Sequence, residues 1–325
     1  MTVYFGSSED IDFTLINGAV VSTTSGRFDA TYARSSIRAY ESNKSATVNL
    51  PTPLTTLFCT YRFWQTSPGF GGADYPALTI QEGSTGVARI NTTNGVWTLQ
   101  TYDSGWVTRA TFSSIPTAAT VIKLTLKVVL DGTSGIITAW VGDNEVATWT
   151  GDTVGSTGAT GLDTLVFTSI DAGPNDYTSI SEVVVADEHT INMRVATLVP
   201  NADGANTAWT NDYNAVDEIT NSTADTLKSP IANQIETMGL SNYGGSSDLV
   251  IRTLFVSPRA VKSSGGPQQL QATIRVSTAE YFSSTSAVST VYATYRKEWA
   301  TNPYTAADWT IADIDALEAG VKSIA

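Results

Sequence analysis

Short segments in which apolar and polar residues alternate dominate the chain. Over residues 122–130 an apolar side chain occupies every second position, and Lys123, Thr125 and Lys127 stand between them. A helix would spread these residues around its circumference, whereas a period of two places them on one face of a strand. Two further alternating segments, 136–141 and 146–150, follow after Gly- and Asp-containing turns. The pattern predicts an antiparallel meander.

Comparable short strands are predicted along the rest of the chain, separated by turns rich in Gly, Pro, Asn and Asp. Regular short strands with frequent turn signals are typical of β-sandwiches and jelly rolls. The strands are 56–64, 77–81, 87–90, 96–101, 164–170 and 181–186, followed by 249–257, 269–277 and 289–299.

A domain boundary is predicted near residue 190. The strand 181–186 runs into a polar stretch, and a new apolar run begins at 195 before the turn cluster 200–204. One helix is predicted over 310–320, because Thr310 can cap it, Asp313 follows three residues later, and Gly320 can stop it. We therefore expect an all-β protein of two β-sandwich or jelly-roll domains, 1–189 and 190–325, the second with one short C-terminal helix.

The net charge and the distribution of apolar residues limit the classes of molecule that the chain is expected to bind. The net charge is −13, which disfavours binding to nucleic acid or to an anionic membrane surface, since both need a basic patch. No apolar stretch approaches the roughly 18 residues of a membrane span. The first residues lack the basic and apolar regions of a signal peptide. We expect synthesis in the cytoplasm, no nucleic-acid partner and no membrane partner.

Residues for familiar catalytic centres are scarce. His189 is the single histidine and Cys59 the single cysteine, so a tetrahedral zinc site cannot be assembled. No Gly-x-Ser-x-Gly sequence accompanies His189, which disfavours a Ser-His-Asp triad. Cys59 lies in an apolar run and is expected to be a buried thiol. These absences predict a protein that is not an enzyme and has no cofactor.

Sandwich folds also host glycosidases, which need two carboxylates on one face of a cleft. Acids two positions apart on a strand would provide them. Asp10 and Asp12 have this spacing in a segment of poor strand character, and Asp143 and Glu145 have it in a turn. A glycoside hydrolase is therefore the third-ranked hypothesis.

Two ligand types remain open. Calcium needs only oxygen ligands, and Asp171, Asp176 and Asp203 in turn clusters could supply them, although such residues usually form turns. Sugars stack on aromatic rings, and Trp106, which follows Tyr102 and a turn, is the best candidate for an exposed platform. The other tryptophans are expected in cores or interfaces: Trp64, Trp97, Trp140, Trp149, Trp209, Trp299 and Trp309.

The segment 128–153 contains a strand, an Asp-Gly turn, a second strand and a Gly-Asp-Asn turn. This order resembles the back-strand hairpins of concanavalin A-like (laminin G-like) jelly rolls. Segments 181–219 and 298–322 look like a two-domain family of tailed-bacteriophage virion proteins, in which a lectin-like sandwich precedes a second β domain. The resemblance covers most of the chain and transfers no catalytic residue.

The resemblance implies a structural protein of the virion, such as a fibre, tail, head-surface or capsid-decoration component. It would form a homo-oligomer, contact other virion proteins and act on the particle after synthesis in the host cytoplasm. The alternative hypothesis is a lectin-like module that binds host glycans through Trp106 and Tyr102. We expect the first domain to face outward and the second to attach.

Overall fold

A computed structural model describes residues 1–7, 13–16, 20–22, 27–33, 36–40, 45–66, 74–168, 177–218 and 222–325. The chain divides into two compact units, Met1–Thr197 and Leu198–Ala325, called unit 1 and unit 2 below. Both units consist of antiparallel strands, and unit 2 also has one short α-helix near its C-terminal end, which confirms the predicted all-β class. Within the described ranges, no helix has the length and apolarity that a membrane span requires.

Unit 1 contains two large sheets. The eight-stranded one is called the back sheet, and the seven-stranded one the front sheet. In spatial order the back sheet consists of β13 (Asn144–Gly151), β12 (Gly135–Val141), β11 (Ile122–Val129), β6 (Thr56–Gln65), β15 (Tyr177–Ala186), β4 (Ser36–Tyr40) and β3 (Val20–Ser22), with β1 (Val3–Ser7) beside β15. The front sheet consists of β10 (Trp106–Thr111), β9 (Val96–Tyr102), β8 (Thr85–Thr93), β7 (Asp74–Glu82), β14 (Leu162–Thr168), β5 (Ser45–Leu54) and β2 (Thr14–Ile16).

The predicted meander is β11, β12 and β13. Its strands pair antiparallel, with Leu126 opposite Ala139 and Ala139 opposite Ala147. All three residues are buried, so one face of the meander joins the core. The period of two in the sequence is therefore the period of burial in the fold.

A single core fills the space between the two sheets. Trp97 of the front sheet meets Phe63 of the back sheet edge to face, with ring centroids 5.7 Å apart, and both side chains are inaccessible to solvent. Tyr61 contacts Phe167 in the same way at 5.1 Å. Cys59 lies in this core, and its burial raises the pKa of the thiol far above the ordinary value.

The outer face of the back sheet is covered by the chain that leaves β15. Thr190 Oγ1 lies 2.7 Å from Thr60 Oγ1, and the His189 ring packs against Phe58 and Trp140 with centroids 5.5 and 5.4 Å away. The single histidine is thus a packing residue on a sheet face.

An ion-pair network holds the end of this covering segment. Arg194 binds Glu182 and Asp29 with distances of 2.5 and 2.7 Å, and its guanidinium stacks over Tyr32. The Glu182 side chain is 1% exposed, so Arg194 neutralises a buried charge. Unit 1 consequently extends to Thr197, and the predicted boundary at 189 separates residues that pack together.

Unit 2 is built on one larger sheet. In spatial order it consists of β16 (Pro200–Thr207), β17 (Ile235–Leu240), β25 (Glu318–Ile324), β20 (Gln269–Val276) and β21 (Ala279–Phe282), with β22 (Ser286–Ala287) also paired to β20. Two short pairs accompany it: β18 (Leu254–Val256) with β24 (Lys297–Trp299), and β19 (Arg259–Ala260) with β23 (Ala293–Thr294).

The helix α1, Ile311–Asp315, is shorter than the predicted 310–320. Thr310 accepts from the Asp313 N–H while the Asp313 carboxylate accepts from Thr310, so the capping box is complete. The chain then enters β25 at Glu318, because pairing with both β17 and β20 places it in the centre of the sheet. Ile314 and Leu317 pack with Trp309 in the core of unit 2.

We predict that Thr310→Ala destabilises unit 2 by about 1 kcal/mol, because the first turn of α1 loses its capping hydroxyl. Urea unfolding of the full chain, followed by near-ultraviolet circular dichroism, measures the change. Thr301→Ala is the matched control, since Thr301 is exposed and precedes the helix. Equal stability of the two variants would contradict the role assigned to the cap.

Candidate functional site

The outer face of the front sheet carries a row of polar side chains. On β8 and β9 the apolar residues Ile90 and Leu99 point into the core opposite each other. Alternation places Arg89 and Gln100, also opposite each other, on the other face of the sheet. Thr108 of β10 lies beside Gln100, which extends the row over three strands.

Arg89 is the centre of this row. Its Nε donates to Gln100 Oε1 at 2.6 Å, and its Nη2 donates to Asp74 Oδ2 at 2.6 Å. Gln100 Nε2 in turn donates to Thr108 Oγ1 at 3.2 Å. The Arg89 side chain is 7% exposed and that of Asp74 is 55% exposed, so the cluster meets solvent at Asp74. These contacts fix the guanidinium and the amide in one orientation.

Asn91 adds a second amide to the cluster. Its Nδ2 donates to Asp74 Oδ1 and lies 3.2 Å from Thr93 Oγ1, which also donates to Asp74. Asn91 is fully buried, and no residue in the described part of the chain donates to its Oδ1. A buried acceptor without a donor is unusual in a folded protein.

The charge of Asp74 is stabilised by its neighbours. Partial burial raises the pKa of this carboxyl, but hydrogen bonds from Arg89, Asn91 and Thr93 outweigh it and hold the pKa below the ordinary value. Burial also lowers the pKa of Arg89, against the effect of Asp74. The guanidinium stays charged, because arginine titrates far above neutral pH.

Both aromatic residues predicted for stacking lie beside this cluster. The Arg89 guanidinium lies over the Trp106 ring, 4.3 Å from its centroid, and Tyr102 meets Trp106 edge to face at 5.4 Å. A Cβ at Gly86 would come within 2.6 Å of the Trp106 ring, so glycine permits the indole to lie against the strand. Trp106 and Tyr102 are half-buried rather than fully exposed. Their role in sugar stacking stays a prediction.

The arrangement combines fixed planar groups with an aromatic edge. Asp74 presents its carboxylate to solvent, and Arg89 and Asn91 hold that carboxylate in place from the buried side. Trp106 and Tyr102 provide apolar ring surface beside them. A ligand with several hydroxyl groups on an otherwise apolar ring matches this combination of groups.

The predicted calcium ligands are not gathered into a site within the described residues. Asp171 and Asp176 lie outside them. Asp203 is an exposed residue of β16, and its carboxylate accepts from the Tyr213 N–H at 2.9 Å. In the described ranges, no group of three or more His, Cys, Asp or Glu side chains is placed to hold a metal ion.

Of the two carboxylate pairs considered for glycoside hydrolysis, one lies within the described residues, and it is not on the front sheet. Asp10 and Asp12 lie outside the described residues. Asp143 pairs with Lys123 at the turn between β12 and β13, on the back sheet, and Glu145 is exposed there.

The remaining tryptophans divide between cores and half-buried positions. Trp97 and Trp309 are buried, as expected for core residues. The others are half-buried: Trp64, Trp140, Trp149, Trp209 and Trp299.

Sequence reasoning missed Arg89, Asn91 and Gln100. The signal was present in part, since each is a polar residue that directly follows an apolar one in a strand. Such residues must reach the far face of the sheet. The pairing register that places Arg89 opposite Gln100 could not be predicted from the sequence pattern.

No protein-family model and no curated protein matches the chain. Solved structures do match, and those named below cover under three-fifths of this chain. They include the cellulose induced protein Cip1 (11% identity, 58% of this chain, 99% of that chain, TM-score 0.40) and the alginate lyase vAL-1 from Chlorella virus (8%, 57%, 100%, 0.43). The binding domain of botulinum neurotoxin serotype D also matches (9%, 57%, 48%, 0.38). At these identities the likeness concerns the β-sandwich fold, and no site residue is carried over.

The prediction that the chain is not an enzyme is wrong as an exclusion. Alginate lyases, which are enzymes, recur among the matched structures. The scarcity of histidine, cysteine and paired carboxylates in this chain does not exclude an enzyme.

We predict that Asp74→Asn changes the pH dependence of stability. The folded-state pKa of Asp74 is depressed below 3.8, so its contribution is present at neutral pH and is lost as the pH falls through the folded value. The difference in free energy of unfolding between wild type and Asp74→Asn should shrink on acidification. Asp103→Asn, an exposed carboxyl in a turn, controls for the loss of one charge. A difference that stays constant from pH 7 to pH 2 would contradict the assignment.

Proposed function

We propose that unit 1 binds a saccharide on the outer face of its front sheet. The observation that carries this proposal is the cluster of Arg89, Asn91, Gln100 and Asp74, held in fixed geometry beside Trp106. Fixed donors and acceptors lower the entropic cost of binding a flexible polyol. The β-sandwich fold is compatible with this function, since the binding domains of two toxins are among the matched structures.

The position of the cluster supports the same conclusion. Residues 187–197 cover part of the outer face of the back sheet, through Thr190, His189 and Arg194. On the front sheet, Asp74 and Thr108 are exposed at the margin of the cluster. The front face therefore presents hydrogen-bonded polar groups to solvent at that margin.

We predict that Asn91→Ala and Gln100→Ala each weaken saccharide binding by at least tenfold, because each removes a fixed hydrogen-bonding group. An array of neutral and acidic oligosaccharides identifies the ligand, and calorimetry with the best one measures the loss. Thr150→Ala, an exposed threonine on the back sheet, is the matched control and should bind like wild type. The same samples are assayed for shortened oligosaccharides, because enzymes share the fold.

Two results would overturn saccharide binding at this face. One is an array without signal for folded wild-type protein. The other is binding that persists in Asn91→Ala and Gln100→Ala but disappears when a residue elsewhere on unit 1 is changed. Cleavage that requires Gln100 would instead extend the proposal from binding to catalysis at the same face.

We infer as a second candidate that the chain is a structural component of a tailed-bacteriophage virion. The support is the resemblance of segments 181–219 and 298–322 to that family, together with the arrangement of a sandwich followed by a second β unit. In this setting other virion proteins are partners, and a saccharide on the host surface is the ligand of unit 1. The two candidates are compatible, since one concerns a site and the other a location.

We predict that the polypeptide is present at a fixed copy number in purified phage particles. Mass spectrometry of the particles measures the copy number, and an antibody in negative-stain images shows which feature carries it. A chain found only in the cleared lysate, and not in particles, would contradict the virion assignment. It would leave saccharide binding untouched, because the array measures that independently.

A further inference from the structure

One end of the main sheet of unit 2 exposes apolar side chains. Ile231, Val261 and Val291 are 59%, 38% and 68% exposed. Exposed aliphatic side chains are ordinary when scattered, but contiguous ones mark interaction surfaces. Their grouping therefore depends on where the backbone places them.

Backbone contacts bring these three residues to the same end of the sheet. Ser323, near the end of β25, donates from Oγ to Ile231 O at 2.8 Å. The next residue, Ile324, accepts from the Gln268 N–H at 3.1 Å, and Gln268 accepts from Val288 at 2.9 Å. Val261 and Val291 adjoin this contact, because the Lys262 N–H donates to Ser289 at 2.9 Å.

Cations surround this apolar group. Lys228 is exposed and adjoins Ser229, whose Oγ donates to Ile231 O at 2.7 Å. Lys262 follows Val261, and Arg259 stacks over Tyr292, which follows Val291. One acid, Asp225, precedes Lys228 by a short loop. We call this surface the basic end; it comprises Lys228, Ile231, Arg259, Val261, Lys262 and Val291.

The opposite end of the same sheet is acidic. Glu318 starts β25 and pairs with Arg275 at 2.7 Å, and α1 lies next to it. Trp309 Nε1 donates to Trp299 O at 2.9 Å, which places the neighbouring exposed Asp308 and Glu298 at this end. Arg252 is exposed here as well. We call this surface the acidic end; it comprises Glu280, Glu298, Asp308, Asp313, Asp315 and Glu318.

We propose that unit 2 associates with a second copy of the chain by placing its basic end on the acidic end of that copy. The argument is charge complementarity within one protein. A chain of net charge −13 repels its own copies overall, so contact is favoured only where opposite charges meet locally. The apolar residues of the basic end would supply the buried centre of the contact.

Such a contact is head-to-tail rather than two-fold, because the two surfaces differ. Repeated head-to-tail contacts produce a closed ring or an open filament. Each copy then uses both ends, and a copy with one altered end can terminate the assembly. This property distinguishes the proposed head-to-tail contact from non-specific association, and it can be tested.

The test uses full-length chains with one altered end each. Lys228→Gln with Lys262→Gln neutralises the basic end, and Glu298→Gln with Asp308→Asn neutralises the acidic end. Sedimentation velocity at low salt over a wide concentration range should show concentration-dependent association of wild type, weakened by added salt. Each double variant should associate at least tenfold more weakly. Arg252→Glu adds negative charge at the acidic end and serves as the matched control, which should still associate.

An equal mixture of the two double variants gives the sharpest result. Each retains one intact end, so the mixture should form a heterodimer and no larger species. Circular dichroism shows that both variants are folded, and Val291→Ser, which keeps all charges, should also weaken association.

Three outcomes would overturn the proposal. The first is wild-type protein that stays monomeric at low salt and high concentration. The second is association that is lost in the Lys228/Lys262 variant but unchanged in the Glu298/Asp308 variant, which would assign a different acceptor. The third is a monomer whose basic end instead binds a sulfated polysaccharide column, which would identify a polyanion as the occupant.

Discussion

The shared core of the two sheets is the constraint on which unit 1 depends. Trp97, Phe63 and Tyr61 fill it, and antiparallel pairing assigns every second residue of the central strands to it. The alternate residues are thereby forced onto the two outer faces. On the back sheet a later segment of the chain covers them, whereas on the front sheet they bond to one another around Arg89. The candidate binding site therefore lies on the outer face of the front sheet, whose side chains are those that the core excludes.

Arg89 shows how a charge is tolerated on that face. A guanidinium that is largely removed from water needs several partners, and Gln100, Asp74 and the Trp106 ring provide them. The same contacts that offset its desolvation also hold the amide and carboxylate in place. The same contacts stabilise the folded chain and preorganise the candidate site, so substitutions in the cluster are expected to change both the free energy of unfolding and the affinity for a ligand.

The fold could be predicted from the sequence where period two is regular, as in β11 and β12, and where chemistry is local, as in the Thr310–Asp313 capping box. The helix end and the domain boundary could not, because they depend on contacts between distant residues. Pairing of β25 with β20 ends the helix early, and Arg194 meets Glu182 across a sheet face. The candidate site could be predicted only in part, for the same reason. Trp106 and Tyr102 were predicted because they are aromatic residues beside a turn. Arg89 and Gln100 were not predicted, because their contact depends on the pairing register of two strands.

The segment 187–197 has a consequence for dissecting the protein. Cleavage after residue 189 would remove Thr190 and Arg194. The buried Thr60 hydroxyl would lose one hydrogen-bond partner, and the Glu182 carboxylate would lose one of its cationic partners. A piece of the chain containing unit 1 therefore keeps all of these contacts only if it extends to Thr197. Protease resistance of the 190–197 stretch in the intact chain reports directly on whether the back sheet is still covered.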